Sequence, residues 1–238
     1  MRVPPARRTA TTLAENAYQE IRRRILRGVL PIGSTLSRRK LAEVLGMSQL
    51  PVSAALQRLE SEGLVETKAR AGTRVRVPTQ EDIRDSHVLR EALESQAARL
   101  FAINATKQER RQLRRRAQHT DALFNRCTEG TPDPEFLFDA HTYHLTFHLY
   151  IAECARSKAL VRALHTNQVL TFNWFLDVAV RHRKGPSNAH RELSEVLSGN
   201  DPDAADRALR RHIAYGLEGF LNAVVPQQES RWRTARSV

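Results

Sequence analysis

The chain has little cysteine and no long apolar run. Of its 238 residues only Cys127 and Cys154 are cysteines, too few for a disulfide framework. No apolar segment is long enough to span a bilayer, and no apolar signal-peptide core follows the basic N-terminal residues. Internal repeats are absent, and alternating apolar and polar residues are confined to one short region. These absences argue against secreted scaffolds, membrane proteins and repeat arrays, and they predict a mainly helical, cytoplasmic protein.

Acidic residues are scarce in the first third of the chain. Residues 1–78 hold 15 Lys and Arg against 6 Asp and Glu, whereas the remaining 160 residues hold 23 against 20. Most of the formal net charge of +12 therefore lies in that first third. Positive charge concentrated in one module is typical of a nucleic-acid-binding protein, although a generally basic surface is the alternative explanation.

Residues 37–64 have the pattern of a helix-turn-helix. Two short segments with apolar residues at helical spacing lie on either side of Gly46. Ser37 and Ser48 occupy N-cap positions, and Gly46 stands where a left-handed residue ends a helix. In such a motif the second helix, here at residues 49–58, lies in the major groove of DNA. Helical hairpins also occur in proteins that never bind DNA, so this pattern alone does not decide the function.

A basic hairpin follows the helix-turn-helix directly. Val65 and Thr67 lead to a turn at residues 70–72, and Val75 then alternates with arginines. The alternation predicts a two-stranded wing with a small basic tip. A preceding helix is predicted at residues 12–27, begun by a Thr-x-x-Glu capping box. Together these elements predict a winged helix-turn-helix, which is a more specific pattern than either part alone.

The rest of the chain predicts an all-helical bundle. After a linker at residues 77–80, residues 81–225 show helical periods and no alternating stretch. The apolar stripe expected for the first helix consists of Leu89, Leu93, Ala97 and Leu100. Capping residues and prolines predict five further helices, beginning near residues 106, 132, 158, 188 and 201. The short connections favour antiparallel packing.

Four histidines in this second region have the spacing of metal ligands. His144 and His148 are four residues apart and share one helical face, while His190 and His212 lie on the last two predicted helices. Four imidazoles converging in a bundle would suit Zn²⁺ or Ni²⁺. The alternative is chance, because the chain has nine histidines. The nearby residues Asp139 and His141 are expected to point away from the shared face, so we leave them out.

The motifs of the first region resemble GntR-type transcription regulators. The resemblance covers about residues 12–78, and the runs that carry it are Ile25-Leu26-Arg27-Gly28, Pro31-Ile32-Gly33, Leu41-Ala42-Glu43, Leu45-Gly46-Met47-Ser48, Pro51-Val52, Ala55-Leu56-Gln57-Arg58-Leu59, Glu62-Gly63-Leu64-Val65 and Gly72-Thr73-Arg74-Val75. It implies that residues of the helix-turn-helix and the wing contact DNA. Those we predict are Arg38, Arg39, Lys40, Ser48, Gln49, Leu50, Ser53, Arg58, Arg70, Gly72 and Arg74.

The reading helix departs from this family pattern. Where family members usually carry two arginines, this chain has Gln49 and Ser53, and Leu50 replaces a small polar residue. Arginine pairs with guanine, whereas glutamine pairs best with adenine, and a leucine methyl can contact the thymine methyl. We therefore expect an operator half-site that differs from the GC-anchored family pattern. The alternative is that Gln49 touches only phosphate.

The second region resembles the FCD effector domain of the FadR subfamily. The residues that carry this resemblance are Arg90, Leu93 and Glu94, Phe147-His148, Ala152-Glu153 with Leu160, His190, Gly199-Asn200-Asp201, Ala205 and His212. In many family members an aspartate and three histidines hold a metal, and His148, His190 and His212 match the histidine positions. His144 stands at the aspartate position. This departure leaves a more positive site that favours an anionic ligand and Zn²⁺ or Ni²⁺; alternatively the metal is lost and His144 binds effector directly.

The resemblance further implies residues that bind the effector. Arg90 fits a position from which the family reaches an acidic ligand, with a surface pair to Glu94 as the alternative, and Asn173 could line the same pocket. The predicted organisation is a flexible basic lead at 1–11, a winged helix-turn-helix domain at 12–78, an all-helical effector-binding and dimerisation domain at 79–226, and a basic tail at 227–238.

The expected function is that of a ligand-responsive transcription regulator, not an enzyme. A homodimer would bind an inverted-repeat DNA operator and respond to a small carboxylate effector, and the family pattern predicts repression. One alternative is an architectural DNA-binding protein without an effector. Another is a metal-dependent hydrolase tethered to nucleic acid, which is disfavoured because no acidic residue stands at zincin-like spacing from the histidines.

Overall fold

The computed structural model describes residues 12–128, 133–167, 171, 174–175, 187–215, 217 and 221. The predicted lead at 1–11 and tail at 227–238 lie outside these residues, as does Asn173. The described chain forms a small helical domain with a short sheet, followed by a helical bundle, so the predicted fold class is confirmed. None of the described helices is both long and apolar enough to cross a membrane.

Three helices form the frame of the first domain. They are α1 (Leu13–Leu26), α2 (Arg38–Val44) and α3 (Gln49–Ser61). α1 begins at Thr12, whose hydroxyl accepts a hydrogen bond from the backbone N–H of Glu15 at 3.1 Å. Its apolar residues recur at four-residue steps and are buried against α3, whose own buried face consists of Val52, Ala55, Leu56 and Leu59. The helix-turn-helix is therefore present, and α3 is its reading helix.

A three-stranded antiparallel sheet completes this domain. β2 (Val65–Lys68) and β3 (Gly72–Val75) form the predicted hairpin, and β1 (Thr35–Leu36) pairs with the other edge of β3. β1 was not predicted, because two residues are too few to show an alternating pattern. At the hairpin tip Arg70 has a φ of 64° and Gly72 a φ of 89°, so the wing ends in a tight, exposed turn.

Six helices of the second domain have bounds that lie within the described residues. They are α4 (Gln80–Asn104), α5 (Lys107–Thr128), α6 (Pro134–Cys154), α7 (Lys158–Thr166), α8 (Ala189–Leu197) and α9 (Pro202–Ala214). The predicted helix starts near residues 106, 132, 158, 188 and 201 are all confirmed by these bounds. α4 lies against α6, α7, α8 and α9, whereas α5 packs on α6 and α8. The bundle thus brings α4, α5, α6, α8 and α9 together around one core.

The buried face of α4 differs from the predicted stripe. Leu89 is 37% exposed, and Leu93 and Leu100 are only partly buried. The buried face instead includes Ala98, Phe101 and the charged pair Arg90 and Glu94. The apolar residues alone predicted a different buried face of α4, because a charged side chain can also be buried when it pairs with an opposite charge. Arg90 and Glu94 therefore face the bundle interior, where Glu94 contacts His148.

Candidate DNA interface and metal centre

The start of α2 carries a cluster of positive charge. Arg38, Arg39 and Lys40 are exposed in its first turn, which contains no acidic residue. Cations at a helix N-terminus oppose the helix dipole and destabilise the helix slightly. Their presence there is therefore better explained by an anionic partner than by folding. This geometry agrees with the predicted phosphate contacts.

The N-terminal end of α3 is presented to solvent. Ser48, Gln49 and Leu50 are exposed, Leu50 by 80%, and Ser53 is partly exposed. Ser48 precedes the helix, but its side chain makes no capping hydrogen bond. A large apolar side chain left in water at this position is unfavourable in the free domain. Both Gln49 and Leu50 are therefore placed where base edges could be reached.

Arg58 is exposed, but its guanidinium contacts other residues of the first domain. Its guanidinium lies 3.6 Å from the centroid of the Tyr18 ring, and its Nη1 lies 2.6 Å from Glu15 Oε2. Its Nε donates to Glu62 Oε1 at 3.3 Å, and the Tyr18 hydroxyl donates to the same carboxylate. These four residues, which we call the α1–α3 clamp, fasten the reading helix to α1. The assignment of Arg58 to DNA stays a prediction, and the clamp disfavours it.

The wing arginines differ in their surroundings. Arg70 is exposed at the tip, close to Gly72, which has no side chain and would let the backbone of the wing approach DNA closely. Arg74 pairs across the hairpin with Glu66, with its Nε 2.6 Å from Oε1. The structure therefore leaves Arg70 as the better placed of the two for a groove or a phosphate.

The four predicted histidines come together inside the bundle. One ligand nitrogen from each of His144, His148, His190 and His212 lies within 4.8 Å of those of the others. The Nε2 atoms of His144 and His148 are 2.9 Å apart, as their positions one turn apart on α6 predict. α8 and α9 supply the other two imidazoles. We call this set the histidine cluster.

Two buried carboxylates support the cluster from outside. Oε2 of Glu94 lies 2.5 Å from Nδ1 of His148, and Oδ1 of Asp121 lies 2.8 Å from Nδ1 of His190. A carboxylate beside Nδ1 favours the tautomer protonated there and leaves Nε2 as a lone-pair donor. Nε2 of His190 is buried and has no hydrogen-bond partner among the described residues. This is the arrangement expected of a metal ligand with its supporting group.

Sequence reasoning missed the supporting role of both carboxylates. Asp121 lies on α5, far along the chain from His190, and only tertiary packing brings them together. It also accepts hydrogen bonds from the backbone N–H groups of His190 and Arg191, at the start of α8. Asp121 thereby stabilises the helix that carries His190 as well as orienting its ring.

Arg90 pairs with Glu94 and is itself buried. Its Nε lies 2.5 Å from Glu94 Oε1, and each side chain is less than a tenth exposed. Burial alone would raise the pKa of Glu94, but Arg90 and His148 lower it to about 2. This is the pair with Glu94 that the sequence left as an alternative, although it is buried rather than on the surface. Effector binding by Arg90 stays a prediction that this pairing disfavours.

Two of the four cluster histidines, His144 and His190, have pKa values lowered toward the neutral form that binds metals. Burial and the neighbouring imidazole of His148 lower the pKa of His144 well below its usual value. Burial also lowers the pKa of His190, against the raising effect of Asp121. Neutral imidazoles are ligands for borderline divalent ions, so the residues present fit a site for such an ion.

Residues near the cluster are placed outside it. His141 is buried but lies against Trp174 and Phe124, and it is not one of the four clustered histidines. Asp139 is exposed. The expectation that His141 points away from the shared face was wrong in its reason, because a residue three positions before His144 lies on the same side of α6. Its ring stays out of the cluster because it packs against Trp174 and Phe124.

Comparisons with known proteins agree with this geometry. Residues 13–75 match the family of bacterial regulatory proteins described as the gntR family, and residues 85–215 match the FCD domain. The chain is 31% identical over 216 residues to the probable D-xylose utilization operon transcriptional repressor of Paenarthrobacter nicotinovorans, covering 87% of this chain and 88% of that protein. It is 23% identical over 221 residues to the HTH-type transcriptional repressor RspR of Escherichia coli, covering 92% of each.

Two solved structures share the fold. One is a putative transcriptional regulator GntR from Rhodococcus sp. RHA1, with a TM-score of 0.68 and 22% identity, covering 90% of this chain and 99% of that one. The other is E. coli McbR/YncC, with a TM-score of 0.62 and 21% identity, covering 92% of this chain and 100% of that one.

Proposed function

The chain belongs to the gntR family of bacterial regulatory proteins, and it is a transcriptional regulator with an FCD effector-binding domain. From that premise we propose that it is a repressor that senses a small carboxylate with the help of a bound metal ion. A homodimer binds an inverted-repeat operator in the cytoplasm through the two winged helix-turn-helix domains. Binding of the carboxylate to the FCD domain relieves repression. The observation that carries the sensing part of this proposal is the histidine cluster with its two supporting carboxylates.

The DNA contacts divide into two kinds. Arg38, Arg39, Lys40 and Arg70 are exposed cations that supply phosphate contacts, which fix the position of the domain without reading sequence. Gln49 and Leu50 face outward from the start of α3 and read base edges. An amide suits adenine and an aliphatic side chain suits the thymine methyl, so the half-site contains A·T pairs at these positions.

The donor set explains why the sensed ligand is an anion. In the proposed centre the four imidazoles would hold a divalent ion, with Zn²⁺ or Ni²⁺ favoured over harder ions. Because neutral imidazoles contribute no negative charge, the ion would keep its double charge and would attract a carboxylate. Glu94 and Asp121 hold the rings of His148 and His190 in the ligating orientation. The ligands and their supporting carboxylates come from α4, α5, α6, α8 and α9, so a bound ion would link these five helices.

The name of one relative suggests which ligands to test first. The repressor of Paenarthrobacter nicotinovorans is named for D-xylose utilisation, so D-xylose and its aldonic acid form an informative pair. The aldonic acid carries a carboxylate beside a hydroxyl, which can chelate a metal, whereas the sugar does not carry that charge. We expect the acid to stabilise the protein and the sugar not to do so.

Elemental analysis of protein purified without a histidine tag tests the metal. We expect about one divalent ion per chain in the wild type and less than a tenth of that in the double variant His148→Ala, His190→Ala. The matched control is His119→Ala, which removes an exposed histidine outside the cluster and should keep the ion. Equal metal content in all three proteins would overturn the assignment of the cluster.

Thermal unfolding followed by a gel shift of the protein's own promoter tests the switch. An acid that is an effector raises the melting temperature and releases the DNA, because it binds one dimer geometry more tightly than the other. The same acid should do neither to the double variant. A dimer that holds the promoter equally with every acid tried, and whose melting temperature none of them raises, would favour an architectural DNA-binding protein instead.

A further inference from the structure

The two domains share one hydrophobic core. Trp174 and Phe175 belong to the second domain by sequence, yet they are buried in the apolar cluster of the first domain, with α1 residues such as Ile21 and Ile25. Phe138 and Leu145 of α6 pack against the same cluster. The winged helix-turn-helix is therefore docked on the FCD domain through side chains, and not only joined to it by the linker.

Two arginines of α1 fasten this contact. Nη2 of Arg22 donates to the Thr171 hydroxyl at 2.9 Å. Arg27 forms an ion pair with Glu135 at the start of α6, and its guanidinium lies 5.0 Å from the centroid of the Phe138 ring. The Arg27 side chain is only 15% exposed, so its end of the ion pair is largely shielded from solvent. We call these contacts, together with Trp174, the α1–α6 interface.

From this interface a continuous packed route leads to the histidine cluster. The ring of His141 lies 6.1 Å from that of Trp174, and the ring of Phe124 lies 5.3 Å from that of His141. Phe124 in turn contacts His144 at 5.1 Å and His190 at 5.9 Å between ring centroids. Interiors packed in this way change between discrete arrangements and do not deform smoothly.

On the other side the interface reaches the reading helix. Arg22 and Arg27 lie on α1, and α1 is fastened to α3 by the α1–α3 clamp. A displacement of α1 against α6 would therefore carry α3 with it. The two ends of the route are the metal ligands and the residues placed to read DNA.

We propose that the α1–α6 interface transmits the state of the histidine cluster to the winged helix-turn-helix, with Trp174 as its central positioning residue. The proposal rests on the proposed function for the metal centre. α6 is the shared element, because it carries Glu135 and Phe138 at the interface and His144 and His148 in the cluster. Fixing the cluster fixes α6 against α8 and α9, and the interface passes that restraint to α1.

Hydrogen exchange on the full-length protein, with Zn²⁺ as the probe, tests the transmission. Zn²⁺ added to the metal-free wild type should slow exchange in α6 and α8, and in α1 by about fivefold or more. In Arg27→Glu the slowing in α6 and α8 should persist while that in α1 is lost. The double variant Arg27→Glu, Glu135→Arg restores opposite charges and should recover it. Arg99→Glu, which breaks an ion pair with Asp203 away from the interface, is the matched control.

The outcomes separate this proposal from the proposed metal centre. Slowing of α1 that is unchanged in Arg27→Glu and in Trp174→Ala would overturn transmission through the interface, with the metal centre intact. No slowing anywhere would instead refute the metal centre, and calorimetry then decides on the interface. The wild type should unfold in one transition and Trp174→Ala in two, whereas two transitions in both would overturn the coupling.

Discussion

Replacing Arg58 with methionine separates a structural role from a role in DNA binding. Methionine keeps an apolar stem over the Tyr18 ring but removes the charge that contacts Glu15 and Glu62. The lost cation–π contact contributes about 0.5–1 kcal/mol, whereas the solvent-exposed ion pair with Glu15 adds little. We therefore expect the protein to lose about 1 kcal/mol of stability.

The stability loss is large enough to measure. Because the wild type is expected to unfold in one transition, the size of the whole chain applies, and the loss lowers the melting temperature by roughly 2–4 °C. Binding to DNA should respond differently. Each phosphate contact contributes about 0.9 to the slope of log affinity against log salt, so a dimer that lost one contact per subunit would lose about two units of slope. Because the α1–α3 clamp holds Arg58, we expect no such change.

The matched control is Arg39→Met. Arg39 is exposed in the first turn of α2, where removing a cation relieves the helix dipole. This variant should keep or slightly raise the melting temperature and should lose about two units of salt slope. Fluorescence anisotropy with the promoter duplex at several salt concentrations gives the slope, and circular dichroism gives the melting temperature. If Arg58→Met lost as much slope as Arg39→Met with its stability unchanged, the structural role would be refuted.

Three further results are expected. Glu94→Gln should weaken Zn²⁺ binding about 10–100-fold by calorimetric titration, because His148 loses the carboxylate that orients its ring; affinity within threefold of wild type would contradict this role. Gln49→Arg should shift preference toward guanine at one position of each half-site by about 1–3 kcal/mol in binding selections, and an unchanged preference would place Gln49 on the backbone. Burial and the hydrogen bond to Glu62 raise the pKa of Tyr18 from 10.0 to about 12, so its contribution to stability is complete below pH 10 and is lost as the pH rises toward 12. The melting temperature of Tyr18→Phe should fall less steeply over that range, and parallel curves would count against the clamp.

Much of the first domain could be predicted from local signals. Ser37, Ser48 and Gly46 mark helix ends whose chemistry acts within a few residues, and the alternation after residue 64 marks the wing. The same is true of the pair His144 and His148, because a separation of four residues fixes their common face. These signals need no knowledge of what the helices pack against.

The supporting contacts could not be predicted in the same way. Asp121 acts on His190 across 69 positions of the chain, and nothing in the local pattern of α5 marks it. The sequence did not single out Trp174, yet this side chain completes the core of the other domain. In both cases the partner is chosen by tertiary packing, which a periodic pattern on one helix does not encode.

The exposed leucine at the start of the reading helix has a consequence for modified DNA. Leu50 offers only aliphatic contact, and the group it would meet on thymine is the C5-methyl in the major groove. A methylated cytosine carries the same group at the same ring position, so a side chain that senses only a methyl accepts both bases. If the proposed contact forms, occupancy of the operator would rise where a cytosine facing Leu50 is methylated, and the regulator would respond to the methylation state of its DNA.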